Sequence, residues 1–224
     1  MNNIINLSFP VTGTELWADH NHRLCAAICT QLPELHELKG FAINTITGIP
    51  NKQGKISLTH KSRLLLRLPV EAIAQVYQLT GKTLDIGGYA IQLGNPELQT
   101  LKPVESLKAR IVTIKGYTEP ALFLGAAHRQ LQQLEINANI GIPANEQGEP
   151  KRLTLTIKKK VRGEIKKYTI VGFSVIVSEL SAEDSIKLQI HGLGGKRRLG
   201  CGIFCPNITI YQGRREYDAK AVIS

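Results

Sequence analysis

A glycine-rich basic segment near the end of the chain has the composition that suits phosphate binding. Glycine lets a backbone approach a ligand closely and present its N–H groups, and adjacent cations supply charge, so the combination fits a phosphodiester backbone. Neither the spacing of a Walker loop nor the helix-opening position of a dinucleotide fingerprint is present. The segment is 192–204, and its candidate binding residues are Gly194, Gly195, Lys196, Arg197 and Arg198.

A second group of cations precedes this segment in the sequence. In a hairpin these side chains crowd one tip or edge, where their mutual repulsion favours an anionic partner. Edge lysines that block aggregation explain the same pattern, so both interpretations stay open. The candidate binding residues of this group are Lys158, Lys159, Lys160, Arg162, Lys166 and Lys167.

The basic charge of the chain is concentrated in its last third. The whole sequence of 224 residues has 28 Lys or Arg against 18 Asp or Glu, a formal net charge of +10. Residues 151–224 alone have 15 basic and 6 acidic side chains, a net charge of +9. Such an excess indicates a polyanionic partner. Because aromatic residues make up only 5% of the chain, charge and shape should dominate recognition over base stacking.

Composition excludes several other classes of protein. An apolar fraction of 42% is enough for a packed core and argues against wholesale disorder. No apolar stretch approaches the roughly 18 residues of a membrane span, and no signal peptide is visible. The 4 cysteines do not form a disulfide framework in a chain of this length. The expected location is therefore a reducing cytoplasm, with no membrane partner.

Hydrophobic periodicity predicts the order β-α-β-β-α-β in the first part of the chain. Asp19 is the expected N-cap of the first helix, and Pro69 is the expected first residue of the second. The predicted strands are 4–9, 41–49, 63–68 and 83–93, the last broken at Gly87 and Gly88, and the predicted helices are 20–32 and 69–79; residues 56–59 are a candidate for one further short strand.

The same order of elements recurs in the second part. The predicted strands are 107–114, 152–161, 166–177 and 201–211, and the predicted helices are 119–135 and 181–191. Two such units predict an α+β protein of two tandem ferredoxin-like domains, similar to RNA-recognition domains. We expect the domains to span residues 1–94 and 107–224, with 94–106 as the linker.

Other kinds of chemistry find little support. Cys25 and Cys29 are four residues apart, which suits one face of a helix, but small apolar side chains on a buried face explain them equally well. Cys201 and Cys205 lie in a predicted strand, where the same spacing does not make a zinc knuckle. Serine hydrolase elbows and metal-binding carboxylate patterns are missing. No metal or other cofactor is predicted.

At this point the sequence resembles the CRISPR repeat-processing endoribonucleases of the repeat-associated mysterious protein superfamily, and it is closest to cyanobacterial-type members. The glycine-rich loop 192–204 after the last helix of the second unit carries the resemblance. The stretches 18–22, 35–40 and 110–115 also fit, and the likeness covers essentially the full length.

The resemblance implies metal-independent cleavage of precursor CRISPR RNA, in which the 2′-hydroxyl attacks the scissile phosphate and leaves a cyclic phosphate. Members usually place a catalytic histidine on or just after the first helix. The best match is His36, and His20 at the start of that helix is the second candidate. An imidazole titrates near neutrality and can accept or donate the protons that move. The supporting Tyr and Lys of the family correspond only approximately to Cys29 and Lys39.

The expected partners are CRISPR repeat RNA, precursor and mature guide RNA, and other subunits of a Cascade-type complex. We expect the second unit to grip a repeat hairpin, and to retain the 3′ hairpin after cleavage, while the first unit supplies the histidine. Two alternatives stay open: a non-catalytic RNA-binding subunit with the same fold, and a metabolic or regulatory protein with tandem ferredoxin-like domains.

Overall fold

The computed structural model describes residues 3–51, 53–161 and 164–207. The strands in this part of the chain are β1 (Ile4–Thr12), β2 (Glu15–Trp17), β3 (Ala42–Ile43), β4 (Ile49–Pro50), β5 (Lys55–Ser57), β6 (Arg63–Pro69), β7 (Thr83–Asp85), β8 (Ala90–Leu93), β9 (Glu97–Thr100), β10 (Leu107–Val112), β11 (Asn139–Gly141), β12 (Arg152–Val161), β13 (Glu164–Ser178) and β14 (Phe204–Pro206). The α-helices are α1 (Asn21–Gln31), α2 (Ile73–Tyr77), α3 (Pro120–Gln133) and α4 (Ala182–His191), and 3₁₀ turns span Pro33–His36, Val70–Ala72 and Arg197–Leu199. Within the described ranges, no helix combines the length and hydropathy that a bilayer crossing needs.

Two compact units make up the structure, and they are not simply consecutive in sequence. The first contains the chain up to Leu101 together with 154–171 and 196–201. The second contains 102–153, 172–195 and the chain from Gly202 onward. The boundary between the units after Leu101 falls inside the predicted linker. However, residues 154–171 and 196–201, which were expected in the second domain (107–224), belong to the first unit.

The main sheet of the first unit has the ferredoxin-like strand order. Its strands run β3-β6-β1-β8-β7, and β1 pairs antiparallel with β6, with Leu7 opposite Leu66. Both side chains lie in the core beside Leu24 and Ile28 of α1. Both strands lie where the sequence predicted them, and the observed strand order confirms the fold class for this unit.

The second unit repeats the same order with a different second strand. Its sheet runs β11-β13-β10-β14, and β12 pairs with β13. The predicted pairing of 152–161 with 166–177 is therefore observed. The short strand Asn139–Gly141, which stands second in the order of the unit, was not predicted, because three residues carry too little periodic signal. Helix α4 begins as predicted, with the Ser181 Oγ accepting a hydrogen bond from the Asp184 backbone N–H at 3.1 Å.

Three local predictions were wrong for identifiable reasons. The predicted linker contains β9, which pairs with β1 although every residue of β9 is exposed, so it shows no hydrophobic pattern. Pro69 ends β6 instead of opening a helix, and α2 is only five residues long. Asp19 does not cap α1, since its carboxylate accepts a hydrogen bond from the Thr156 backbone N–H at 2.8 Å.

The predicted closing strand 201–211 is observed as Phe204–Pro206, and residues 208–211 lie outside the described residues.

We expect Ser181→Ala to lower the free energy of unfolding by about 1 kcal/mol, because it removes the acceptor for the Asp184 N–H at the start of α4. Urea denaturation measures the change. Ser181→Asn is the matched control, since it keeps an oxygen acceptor at the cap and should lose much less. Equal losses in the two variants would contradict a capping role.

Candidate active site

The basic part of the glycine-rich loop forms a tight turn within the first unit. We call residues 196–201 the basic turn. Lys196 and Gly200 flank its 3₁₀ segment in left-handed backbone conformations, with φ of 64° and 75°. A Cβ atom on Gly200 would collide with the side-chain nitrogen of Asn21 and lie 2.9 Å from Oγ1 of Thr45. Gly200 is therefore required for both its backbone angle and its close approach to the first helix.

Asn21 ties the basic turn to the start of α1. Its side chain is buried, and its Nδ2 donates hydrogen bonds to the Leu199 carbonyl at 2.7 Å and to Thr45 Oγ1 at 2.8 Å. A buried amide that uses both of its N–H groups in this way fixes the position of the turn, because either bond would leave an unsatisfied group if it broke. The sequence analysis did not single out Asn21 as a functional residue.

Arg198 extends from the basic turn to the segment that carries His36. Its Nη2 donates a hydrogen bond to the Leu38 carbonyl at 3.0 Å. The guanidinium also contributes to the electrostatics of Glu37. The pKa of the Glu37 carboxyl is lowered first by its hydrogen bond with His36, then by the charge of His36, and further by the charge of Arg198. A fixed cation thus lies beside the histidine-bearing turn.

His36 is exposed at the end of the 3₁₀ turn Pro33–His36, while the buried Leu35 anchors that turn in the core. The side chain of His36 is 69% exposed, and its Nδ1 lies 2.9 Å from Oε1 of Glu37. When Nδ1–H donates to this carboxylate, Nε2 of the neutral ring carries the lone pair. The arrangement can accept a proton from a substrate that approaches through solvent.

His20 has the opposite environment. It is fully buried, its Nδ1 lies 2.7 Å from the Trp17 carbonyl, and its Nε2 accepts a hydrogen bond from the Ile46 backbone N–H at 3.2 Å. Both ring nitrogens therefore hold the loops before α1 and after β3, and proton transfer would require one of these bonds to break. Of the two histidines proposed from the sequence, only His36 is presented to solvent.

The other two cations of the basic turn differ in exposure. Lys196 is exposed, whereas Arg197 is half-buried. Burial, together with repulsion from Arg67, lowers the pKa of Arg197 to about 10. Arg67 is itself buried in β6, where its Nε donates to Oδ1 of Asn6 at 2.9 Å. The turn therefore contributes internal electrostatics as well as surface charge, and no local sequence pattern marked Arg67.

The remaining predicted binding residues have varied roles. Gly194 and Gly195 belong to the second unit, and their N–H groups already donate to Oε1 of Gln130 at 2.7 Å and to the Thr113 carbonyl at 3.0 Å. Neither amide is offered to a phosphate as the sequence suggested. Lys166 and Lys167 are exposed in the first unit. The side chains of Lys158, Lys159 and Lys160, and all of Arg162, lie outside the described residues.

Metal ligands are not clustered in the part of the chain that the structure describes: no group of three or more His, Cys, Asp or Glu side chains is placed to hold an ion. All four cysteines are free thiols. Burial and the neighbouring Cys29 raise the pKa of Cys25 to about 12, so this thiol stays protonated at neutral pH. Cys25 and Cys29 thus behave as small, partly buried side chains of α1.

Comparison with known proteins identifies the family. The family model described as Cas6 Crispr matches residues 5–209. This chain belongs to the Cas6 family. A curated relative, the CRISPR-associated endonuclease Cas6 of Myxococcus xanthus (strain DK1622), is 35% identical over 202 residues, which are 90% of this chain and 81% of the relative.

Solved Cas6 structures share the fold. One described as CRISPR associated protein Cas6 superposes with a TM-score of 0.55 at 10% identity, covering 90% of this chain and 98% of that chain. Another, from work on a Cas6-related gene from Pyrococcus furiosus, has a TM-score of 0.50 at 12% identity, with the same coverage. Membership of the Cas6 family confirms the predicted resemblance and removes the interpretation as a metabolic or regulatory protein.

Gly200→Ala should lower the free energy of unfolding by about 1–2 kcal/mol, because an L residue is strained at this φ and its Cβ would displace Asn21. The matched control is Gly195→Ala in the same loop, where a Cβ meets nothing within 4 Å. We expect the control to stay within about 0.5 kcal/mol of the parent. Denaturant unfolding of the two variants measures the difference, and a control as unstable as Gly200→Ala would refute this account of the turn.

Proposed function

We propose that this chain is a metal-independent endoribonuclease that cleaves CRISPR repeat RNA to give mature guide RNA. Its membership of the Cas6 family and its similarity to a relative named as a CRISPR-associated endonuclease support this activity. The observation that carries the proposal is the hydrogen bond from Arg198 to the Leu38 carbonyl, which holds a guanidinium beside the turn that exposes His36.

The chemistry requires two proton transfers, one from the 2′-hydroxyl and one to the leaving O5′, and one site of charge stabilisation. His36 either accepts the proton of the 2′-hydroxyl as the O2′–P bond forms or, as an imidazolium, donates a proton to O5′ as the P–O5′ bond breaks, and solvent water takes part in the other transfer. The products are a 2′,3′-cyclic phosphate and a 5′-hydroxyl. Arg198 stabilises the negative charge that develops on the phosphoryl oxygens. Neither role requires a bound cation, which supports metal independence.

Exposed cations of the first unit supply the grip on the RNA. Lys196 extends from the basic turn, and Lys166 and Lys167 lie on β13 within the segment that packs with this unit. The cations at 158–160 and 162 belong to the same basic hairpin in sequence. We propose that these residues hold the repeat hairpin during cleavage and keep its 3′ product bound, so that the chain can enter a Cascade-type complex with other subunits.

Removal of the imidazole tests the proposed base or acid. We expect His36→Ala to slow cleavage of repeat RNA in EDTA by roughly 10²–10⁴-fold while the dissociation constant for the RNA changes little. His60→Ala is the matched control, because His60 is an exposed histidine of the same unit with no proposed role. Single-turnover cleavage assays measure the rates. Wild-type protein that binds the repeat but leaves it intact would instead identify a non-catalytic RNA-binding subunit.

The two outer cations of the basic turn should separate in their effects. Arg198→Ala should reduce the cleavage rate by about 10²-fold, as expected for the loss of a preorganised donor to developing charge. Lys196→Ala should leave the cleavage rate of bound RNA unchanged. It should make the slope of the log association constant against log salt concentration less steep by roughly 0.7. Rate measurements at saturating protein and salt titrations distinguish the two. A loss of affinity alone in Arg198→Ala would contradict its catalytic role.

A further inference from the structure

A cavity of about 590 Å³ lies beside α1 in the first unit. Neither His36 nor any residue of the basic turn lines it. Its lining includes one indole, one imidazole and two cations, which belong to Trp17, His22, Arg23 and Lys167. The surface-facing residues of α1 form one wall, among them Ala26 and Thr30. These side chains lie on a different face of the helix from Asn21, Leu24 and Ile28, which are buried.

Trp17 is held as a platform at this cavity. It is 37% exposed, and its ring packs against the edge of Tyr89, with ring centroids 6.0 Å apart and planes at 80°. Lys55 Nζ lies 5.4 Å from the centre of the indole and 5.3 Å from that of Tyr89. The Lys55 ammonium is fixed in turn by Oε1 of Glu15 at 2.6 Å. A large exposed aromatic side chain with this much support is preorganised for contact with a flat ligand.

Arg23 is placed next to this platform by a glycine. The guanidinium carbon of Arg23 lies 6.0 Å from the centre of the Trp17 ring. On its other side, a Cβ atom at Gly87 would collide with the arginine side chain and lie 2.8 Å from its Nε. Gly87, with φ of +66°, therefore leaves the space that Arg23 occupies. Together the two residues place a cation over the partly exposed indole.

The acidic side chains of the cavity are already engaged by backbone amides. Oδ2 of Asp19 accepts from the Thr156 N–H at 2.8 Å, and Oδ1 of Asp85 accepts from the Gly88 N–H at 2.7 Å. Each bond holds its carboxylate against a backbone amide. Arg23 and the exposed Lys167 are the side chains of this lining that can attract an anion.

We propose, on the basis of the function proposed above, that this cavity binds one unpaired nucleotide of the RNA substrate outside its hairpin. The base stacks on Trp17, and its phosphate lies between Arg23 and Lys167. Base–aromatic stacking combined with a cationic path is the usual mode of binding single-stranded RNA. A small-molecule site would enclose most of its ligand, whereas here the indole, Ala26, Thr30 and Lys167 are all exposed to solvent.

The chain contains one tryptophan, so its fluorescence reports directly on this cavity. We expect hexauridylate and a repeat RNA with an unpaired flank to quench Trp17 saturably, while a repeat RNA trimmed to its hairpin quenches it much more weakly. Lys167→Ala and Arg23→Lys should each weaken hexauridylate binding by about threefold or more. Lys61→Ala, an exposed lysine of the same unit outside the cavity, should leave it unchanged.

A second measurement uses the indole itself. Trp17→Leu should weaken the flanked repeat about fivefold or more, as expected for the loss of one stacked base, and leave a repeat trimmed to its hairpin unaffected. Circular dichroism checks that the variant is folded, and Tyr89→Phe, which keeps the supporting ring, is the control.

The outcomes separate this proposal from the proposed function. Cleavage of repeat RNA without any change in Trp17 fluorescence would overturn the nucleotide site and leave the nuclease intact. Equal losses for the flanked and trimmed repeats would also overturn it. If wild-type protein neither binds nor cleaves repeat RNA, the proposed function itself fails.

Discussion

The candidate site depends on the hydrogen bond between Nδ2 of Asn21 and the Leu199 carbonyl, 2.7 Å in length. This bond joins the first turn of α1 to a segment nearly 180 residues later in the sequence, and its donor, Asn21, is buried. Because the basic turn is only a few residues long, fixing Leu199 also fixes Arg198. The guanidinium of Arg198 then reaches the Leu38 carbonyl and lies near the pair formed by Glu37 and His36.

The same turn has an electrostatic cost. Arg197 is half-buried near the fully buried Arg67, and its lowered pKa reflects desolvation and repulsion between the two guanidinium groups. Repulsion of this kind favours release of the turn, so specific contacts must hold it. Two hydrogen bonds oppose release, one from the Asn21 amide to the Leu199 carbonyl and one from Arg198 to the Leu38 carbonyl. Gly200 makes the first possible, because a Cβ atom there would collide with the Asn21 side chain.

Local patterns predicted the order of the main strands and helices, because apolar core side chains recur at every second position of β1 and β6 and the Ser181 cap starts α4. They could not predict β9, whose residues are all exposed, or the three-residue β11. The loop motif was recognised from its composition, but its packing on the first unit depends on contacts between residues far apart in sequence. Similarly, His20 and His36 are equivalent as residue types, and only burial and hydrogen bonding distinguish them.

The distribution of charge changes meaning once the units are known. The sequence suggested that a basic C-terminal half grips the RNA while a near-neutral half supplies the histidine. However, the segments 154–171 and 196–201 carry nine Lys or Arg and one Glu, nearly the whole excess of the last third, and both pack with the first unit. Charge and histidine thus belong to the same unit. Under the proposed function, electrostatic attraction brings the phosphate backbone to the unit that carries His36, and the position of a phosphate relative to this histidine depends on contacts within one compact body.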